Sequence, residues 1–327
     1  MTGRGPLPVS GRSEAAQLAF PALRPVLRSA PSFAHPFERH FADLLTAYGI
    51  RWCYEPTTFL LRRRPDGSPA ECFTPDFYLP DARTYVELTS MRQSLVTRKH
   101  RKVRRFRSCC PGSRVVLLYR RDYHRMLAAW SACDLSPEKG DVLEGARAGR
   151  VVIDSPALQS RVIELADGLA SRHACGDRMP ALVAIGAGGT RVATDIAARL
   201  AEIGAATELD VLSLDLIDGR ARVSRSGRVP VGNRPVILVT GMISTGLSLD
   251  YMNGWLRRRR ADVVDSLALL DRRASRVSVQ TPGHVGFEVA ADILVGYGLN
   301  LHRQFADLPF VATLDERPGA SLILPAG

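Results

Sequence analysis

The sequence predicts an α/β protein of two domains. The first is basic, with the order helix, three strands, helix, strand. The second is neutral and built on a parallel sheet. Three observations predict this. The charge is unevenly divided: residues 1–135 carry 22 basic and 11 acidic side chains and residues 136–327 carry 22 of each, so the whole net charge of +11 lies in the first part. Helical and strand-like segments alternate through the second part, the pattern of a parallel sheet with helices on both faces. Finally, 327 residues with 46% hydrophobic and 24% charged content are enough for two cores of ordinary size.

Residues 1–33 are rich in Pro, Ser and Arg and read as a flexible leader without the apolar stretch of a signal peptide. The basic domain is expected over 34–133. It opens with a helix from His35-Pro36 to Gly49, with Phe37, Phe41, Leu44, Leu45 and Tyr48 on one face. Strands are expected over Trp52–Leu61, Cys72–Leu79 and Thr84–Leu88, with turns at Pro65-Asp66-Gly67 and Pro80-Asp81. A basic helix over Leu95–Cys109 and a buried strand over Arg114–Tyr119 complete it.

A polar linker is expected over 134–150, and the neutral domain over 151–327. The latter begins with a helix from Pro156 to His173, started by Asp154-Ser155. A strand over Ala181–Ile185, a turn Gly186-Ala187-Gly188-Gly189 and a helix to Ile203 follow. Further strands are Leu209–Leu214, Pro235–Thr240, Val263–Leu270 and Val285–Val289, with a helix over Leu247–Arg260.

Composition excludes several classes. The longest apolar runs, such as Val115–Tyr119 and Val236–Val239, fall far short of the roughly 20 residues that span a bilayer. The six cysteines form no CxxC pair and no Cys/His spacing of a zinc site, as expected of reduced thiols in a cytoplasmic protein. No membrane partner is expected, and a homodimer is compatible with this reading.

Two groups of residues carry chemistry. Glu38 lies on the first helix, Asp76 in Phe73-Thr74-Pro75-Asp76-Phe77, and Glu87 in Tyr85-Val86-Glu87-Leu88. Asp76 and Glu87 fall on adjacent strands between apolar neighbours, where carboxylates are costly unless a cation or hydrogen bonds satisfy them. Such a pair suits Mg²⁺, which activates water against a phosphodiester. From Arg92 to Arg107 there are eight basic residues and no acid, a phosphate-binding face that includes Arg98, Arg101, Arg104 and Arg105. The expected polyanion is nucleic acid, DNA rather than RNA. The second group is the loop after the strand Val236–Val239: Ser244, Thr245, Gly246, Leu247 and Ser248 present hydroxyls and backbone N–H groups at a helix start, a cradle for a phosphate.

The first group resembles the PD-(D/E)XK nuclease superfamily over about residues 35–122. Pro75-Asp76 and Glu87 match its pattern in type, order and spacing, and Glu38 matches its helix glutamate. The resemblance implies a restriction-endonuclease-like αβββαβ fold and a Mg²⁺ centre held by Glu38, Asp76 and Glu87. Thr89 stands at the lysine of Glu-x-Lys. The superfamily can supply that lysine from the following helix, where Lys99 and Lys102 are two of only three lysines in the chain.

The second group resembles the type I phosphoribosyltransferases, nearest the hypoxanthine-guanine group, over about residues 151–316. The motif Thr245-Gly246-Leu247-Ser248-Leu249, the segments His284–Val289 and Val295–Asn300, and the ending Asp307-Leu308-Pro309 carry that resemblance. It implies a site for a purine nucleoside monophosphate or phosphoribosyl pyrophosphate, with Arg272 contacting the purine oxygen, His284 stacking on the base and Val285 beside it. It also implies what is missing. The family's acidic pair is Thr240-Gly241, its general base is Ser244, its loop lysine is Ala187, its later metal aspartate falls at Ala291 and its late arginine at Ala306. Three functions remain open. One is a nuclease-like domain fused to a degenerate nucleotide-binding domain. The second is an active purine-salvage transferase with an appendage, and the third a non-catalytic nucleic-acid-binding protein.

Overall fold

The structure is a computed structural model that describes residues 31–89, 93–119, 147–173, 179–217, 220–225, 232–290, 294–299 and 304–315. The chain divides into two compact units. One comprises Met1–Arg39 and Arg51–Leu117, the other His40–Ile50 and Leu118–Gly327. The expected leader through residue 30 and the expected linker from 134 to 146 lie outside the described residues.

The helix α1, Pro36–Ala47, starts where Pro36 presets the backbone of a first helical turn. Glu38 Oε2 turns back to accept the N–H groups of Ala34 at 3.0 Å and His35 at 3.3 Å, satisfying donors that a helix start leaves open. Two expected strands are each broken in two. Trp52–Leu61 becomes β1, Cys53–Tyr54, and β2, Phe59–Arg63, because Glu55 adopts φ 42° and Pro56 offers no N–H to a ladder. Cys72–Leu79 becomes β3, Pro69–Phe73, and β4, Phe77–Leu79, interrupted at Thr74-Pro75. The strand β5 spans Thr84–Thr89, the helix α2 Gln93–Cys109 and β6 Arg114–Tyr119. A four-stranded sheet has the order β1-β4-β5-β6, and β2 and β3 form a separate ribbon.

The core of this unit explains why so charged a helix folds. Val103 and Phe106 of α2 are buried with Phe59, Phe73, Tyr85 and Val115. Phe106 meets Phe59 edge-on at 4.7 Å between ring centres, a favourable aromatic geometry. One apolar stripe faces inward, and Arg101, Arg104 and Arg107 are exposed.

In the second unit β7, Arg147–Ile153, precedes α3, Ser155–His173. Residues 147–150, read from sequence as the end of a linker, are therefore strand. Their charged, half-exposed pattern carries no strand signal, and they are held by pairing with β15, Val311–Asp315. Asp154 caps α3 by accepting the N–H of Ala157 at 2.9 Å. Next come β8, Ala181–Ile185, α4, Gly186–Glu202, β9, Leu209–Ile217, and β10, Arg220–Arg225. They are followed by β11, Pro235–Ile243, α5, Leu247–Arg258, β12, Asp262–Asp271, β13, His284–Glu288, and β14, Leu294–Val295.

The main sheet has the order β10-β9-β8-β11-β12-β13. All its pairs are parallel except the β9–β10 hairpin. A small antiparallel sheet, β14-β15-β7, stands beside it. Leu182, Ala184, Ile237, Val239, Leu267 and Leu269 are buried on the central strands, as a parallel sheet covered on its faces requires. No helix among the described residues is long and apolar enough to cross a membrane.

The edge strand β13 is sealed by α3. Arg161 donates from Nε to the carbonyl of Gly286 and from Nη2 to that of Val285, both at 2.9 Å. Hydrogen bonds from a charged donor to otherwise open strand carbonyls are worth more than neutral ones. Arg161→Ala is expected to destabilise the unit by about 1–2 kcal/mol in urea unfolding. An unchanged midpoint would mean that water replaces both bonds without loss.

Candidate functional site

The first site is built on the β4–β5 pair. Phe77 lies opposite Val86 in the antiparallel register, which sets Asp76 across from Glu87. Both carboxylates are withdrawn from water, Asp76 to 9% and Glu87 to 5% exposure. Like charges facing each other across a strand pair are destabilising, and burial adds to the cost. Burial, then the Glu87 charge, push the Asp76 carboxyl up to about 7. Burial likewise raises Glu87, opposed by Lys99.

Three contacts organise the pair. The Leu88 N–H donates to Asp76 Oδ2 at 2.6 Å. Lys99 Nζ lies 2.7 Å from Glu87 Oε1 and also donates to the Leu88 carbonyl. Glu87 Oε2 is buried with no hydrogen-bond partner among the described residues, as is Thr89 Oγ1. An acceptor left open beside a second buried carboxylate is what a divalent cation satisfies, so the donor set fits Mg²⁺. The lysine at this pair comes from α2, and Thr89 stands at the strand position two residues after Glu87.

Glu38 stands differently from the sequence expectation. Its Oε2 accepts from Tyr54 Oη at 2.7 Å in addition to the two backbone donors at the start of α1. It adds a small raising effect on Asp76, so it shapes the field of the pair while its oxygen serves the helix start. Lys102 is half-buried and lowers Glu87 weakly. Of the four arginines expected to bind phosphates, Arg101 and Arg104 are exposed and Arg105 is paired with Glu71. The side chain of Arg98 lies outside the described residues.

The second site follows β11. Gly246 sits at the start of α5 with φ 83°, and a Cβ there would lie 2.6 Å from Ser278 Cβ, so only glycine fits. The Thr245 carbonyl accepts the N–H groups of Val277 at 2.8 Å and Ser278 at 3.0 Å, fastening the loop to the chain after β12. Arg272 is buried, and its Nη1 stands 3.4 Å from Ser244 Oγ. Ser248 Oγ is 2.8 Å from Tyr48 Oη within the same unit. Ser244, Thr245, Gly246, Leu247, Ser248 and Arg272 are thus brought to one place.

His284 and Val285 are not brought there. In the parallel register His284 pairs with Leu267 and Glu288 with Asp271, the neighbour of Ile243 that precedes the loop. His284 is therefore four residues, about 13 Å, back from the carboxyl ends of the strands. Its ring contacts Asp265, and the Val285 carbonyl is taken by Arg161. Sequence order suggested a base-binding segment, but register decides which end of a strand a residue occupies.

The missing acidic pair has a steric counterpart. A Cβ on Gly241 would lie 2.8 Å from the carbonyl carbon and 2.9 Å from the Cα of Gly188, and one on Gly189 would lie 2.6 Å from the Val239 carbonyl oxygen. Backbone therefore packs on backbone where α4 begins and β11 ends, with no room for a carboxylate at Gly241, the second position of the pair. The expected loop-lysine position, Ala187, lies in the first turn of α4, because the helix begins at Gly186 where the sequence suggests a turn.

The half of the chain that carries the parallel sheet and the hydroxyl-bearing loop after its central strand is similar to phosphoribosyltransferases. More particularly, that half is similar to hypoxanthine-guanine phosphoribosyltransferases. Over 171 residues, 50% of this chain and 92% of the relative, it is 25% identical to the hypoxanthine-guanine phosphoribosyltransferase of Bacillus subtilis. Over 168 residues it is 27% identical to the bifunctional protein TilS/HprT of Listeria innocua, and this match spans 26% of that protein's length. Among solved structures, a hypoxanthine-guanine phosphoribosyltransferase of Bacillus anthracis covers 52% of this chain at 23% identity, with a TM-score of 0.47. No protein-family model matches the chain.

Proposed function

We propose that the chain joins a metal-dependent, nucleic-acid-cleaving domain of the PD-(D/E)XK kind to a domain that binds a purine nucleoside monophosphate and regulates it. The observation that carries the first half is the buried Asp76–Glu87 pair with Lys99 on one carboxylate and an open acceptor on the other. Asp76 and Glu87 would hold the cation, with Glu38 strengthening the negative field. Bound Mg²⁺ supplies charge to lower the pKa of a water and to neutralise a phosphate.

The protein's own groups do the rest. Lys99 has three N–H donors and spends two on Glu87 and the Leu88 carbonyl, so one is left for the attacking water or the phosphate. Lys102 adds positive charge beside Glu87, and Arg101 and Arg104 offer exposed cations to flanking phosphates. Nothing in these groups reads a base edge, so recognition of sequence is not expected.

The second half rests on the loop Ser244–Ser248 and the buried Arg272, which suit a monophosphate. The closed space at Gly241 speaks against the metal-assisted departure of pyrophosphate. The similarity to hypoxanthine-guanine phosphoribosyltransferases favours a second reading, an active purine-salvage enzyme with an appended nucleic-acid-binding domain.

Calorimetric titration separates the two. GMP and IMP are expected to bind, while hypoxanthine with phosphoribosyl pyrophosphate and Mg²⁺ yields no IMP. Appearance of IMP would replace the first reading with the second. The nuclease half is tested by incubating the protein with linear and branched DNA, with and without Mg²⁺. Absence of cleavage on every substrate would leave only binding.

A further inference from the structure

We propose that His173, Asp265 and His284 form a binding site for a divalent transition metal, zinc foremost, in the second unit. The three residues come from the last position of α3, the first half of β12 and the first position of β13. Asp265 Oδ2 lies 3.2 Å from His173 Nε2 and 3.1 Å from His284 Nε2, and one ligand atom from each residue falls within 4.8 Å of the others. Zinc bonds of about 2.0–2.2 Å in a tetrahedron set neighbouring ligand atoms about 3.3 Å apart. The two histidine–aspartate spacings need little change to meet that.

Other features prepare the carboxylate. Its second oxygen, Oδ1, accepts the Ser266 N–H at 2.7 Å, which orients Oδ2 towards the imidazoles and is the kind of outer contact that fixes a metal ligand. A Cβ on Gly283 would lie only 1.9 Å from Asp265 Oδ1, so the carboxylate sits against bare backbone that glycine alone provides. The side chains are 14%, 8% and 12% exposed for His173, Asp265 and His284, sheltered but reached by solvent. Arg172 Nη1, 3.2 Å from Oδ2, is 56% exposed and can swing into water when a doubly charged ion takes its place.

Two imidazoles and one carboxylate are a borderline donor set that suits zinc, with a fourth position for water. The site is distinct from the phosphate loop. Asp265 precedes by six residues Asp271, the partner of Ile243, which is about 20 Å along the strand. An ion here would tie the end of α3 to β12 and β13, joining residues 92 and 19 positions apart in sequence. Its expected role is to brace the edge of the sheet.

The test uses the full chain, stripped with chelator and dialysed against zinc, beside His173→Gln and His284→Gln. Wild type is expected to retain one equivalent of zinc more than either variant, to bind it at least tenfold more tightly, and to gain a rise in melting temperature that both variants lose. Cobalt(II) is expected to give a visible absorption band in the wild type that the variants lack. Arg172→Ala keeps all three ligands and is expected to bind zinc more tightly than wild type. Equal zinc content and equal thermal shift in wild type and both glutamine variants would overturn the site. So would weaker zinc binding by Arg172→Ala.

Discussion

Gly241→Asp is expected to give no transferase activity and to destabilise the second unit by about 3 kcal/mol, the upper range for overpacking a well-filled site. The substitution returns an acid to a position where the phosphoribosyltransferase resemblance places one. Its Cβ would sit 2.8 Å from the backbone of Gly188, and backbone at the start of α4 cannot turn aside as a side chain can. The surroundings on β11 are equally unyielding, because Val239 and Thr240 pair with β8 on one side and β12 on the other. Urea unfolding measures the loss, and the assay for IMP from hypoxanthine and phosphoribosyl pyrophosphate measures the activity. A stable variant that makes IMP would show that the glycine contact relaxes freely and that the site is one substitution away from an enzyme.

Asp76→Asn is expected to abolish Mg²⁺-dependent cleavage, by a hundredfold or more, while making the metal-free protein more stable at pH 8. The wild-type carboxyl is pushed up to about 7 by burial and the facing Glu87. A folded-state pKa above the unfolded one means that the folded chain holds its proton longer. The contribution to stability is therefore complete below about pH 4 and is lost as pH rises through about 7. The buried carboxylate then costs on the order of 2–4 kcal/mol at pH 8 without a cation. Asparagine keeps an acceptor for the Leu88 N–H and removes the charge. Mg²⁺ is expected to stabilise the wild type increasingly from pH 6 to pH 8 and to leave the variant unmoved. Melting curves across that range measure both effects, and an equal response of the two proteins to Mg²⁺ would end the metal assignment.

Much of the architecture was legible in the chain, because periodicity reports which face of a segment is buried. Val103 and Phe106 marked the inner face of α2, and the alternation after Asp154 marked a parallel sheet. The breaks at Glu55-Pro56 and Thr74-Pro75 were less visible, since a proline can end a strand or sit at its edge. The first half of β7, residues 147–150, was invisible because it has no apolar pattern of its own and is held by pairing with β15.

Of the first site, Asp76 and Glu87 could be found from their apolar neighbours, and the scarcity of lysine pointed to Lys99. That Lys99 reaches Glu87, and that Glu38 spends its oxygen on the start of α1, follow only from the packing of α2 and the path of the chain before α1. In the second site the loop was readable as local chemistry, whereas His284 was read towards the wrong end of its strand.

By itself, then, the sequence determined the division of charge, the alternation of elements and the acids and hydroxyls available for chemistry, all of which are local properties. The tertiary structure alone decided that Gly241 has no room for an acid and that His284 turns away from the loop. It alone decided that His284 meets Asp265 and His173 from positions far apart in the chain. Those outcomes depend on strand register and backbone separation, where a shift of one residue reverses a side chain's direction and a few tenths of an ångström close a site.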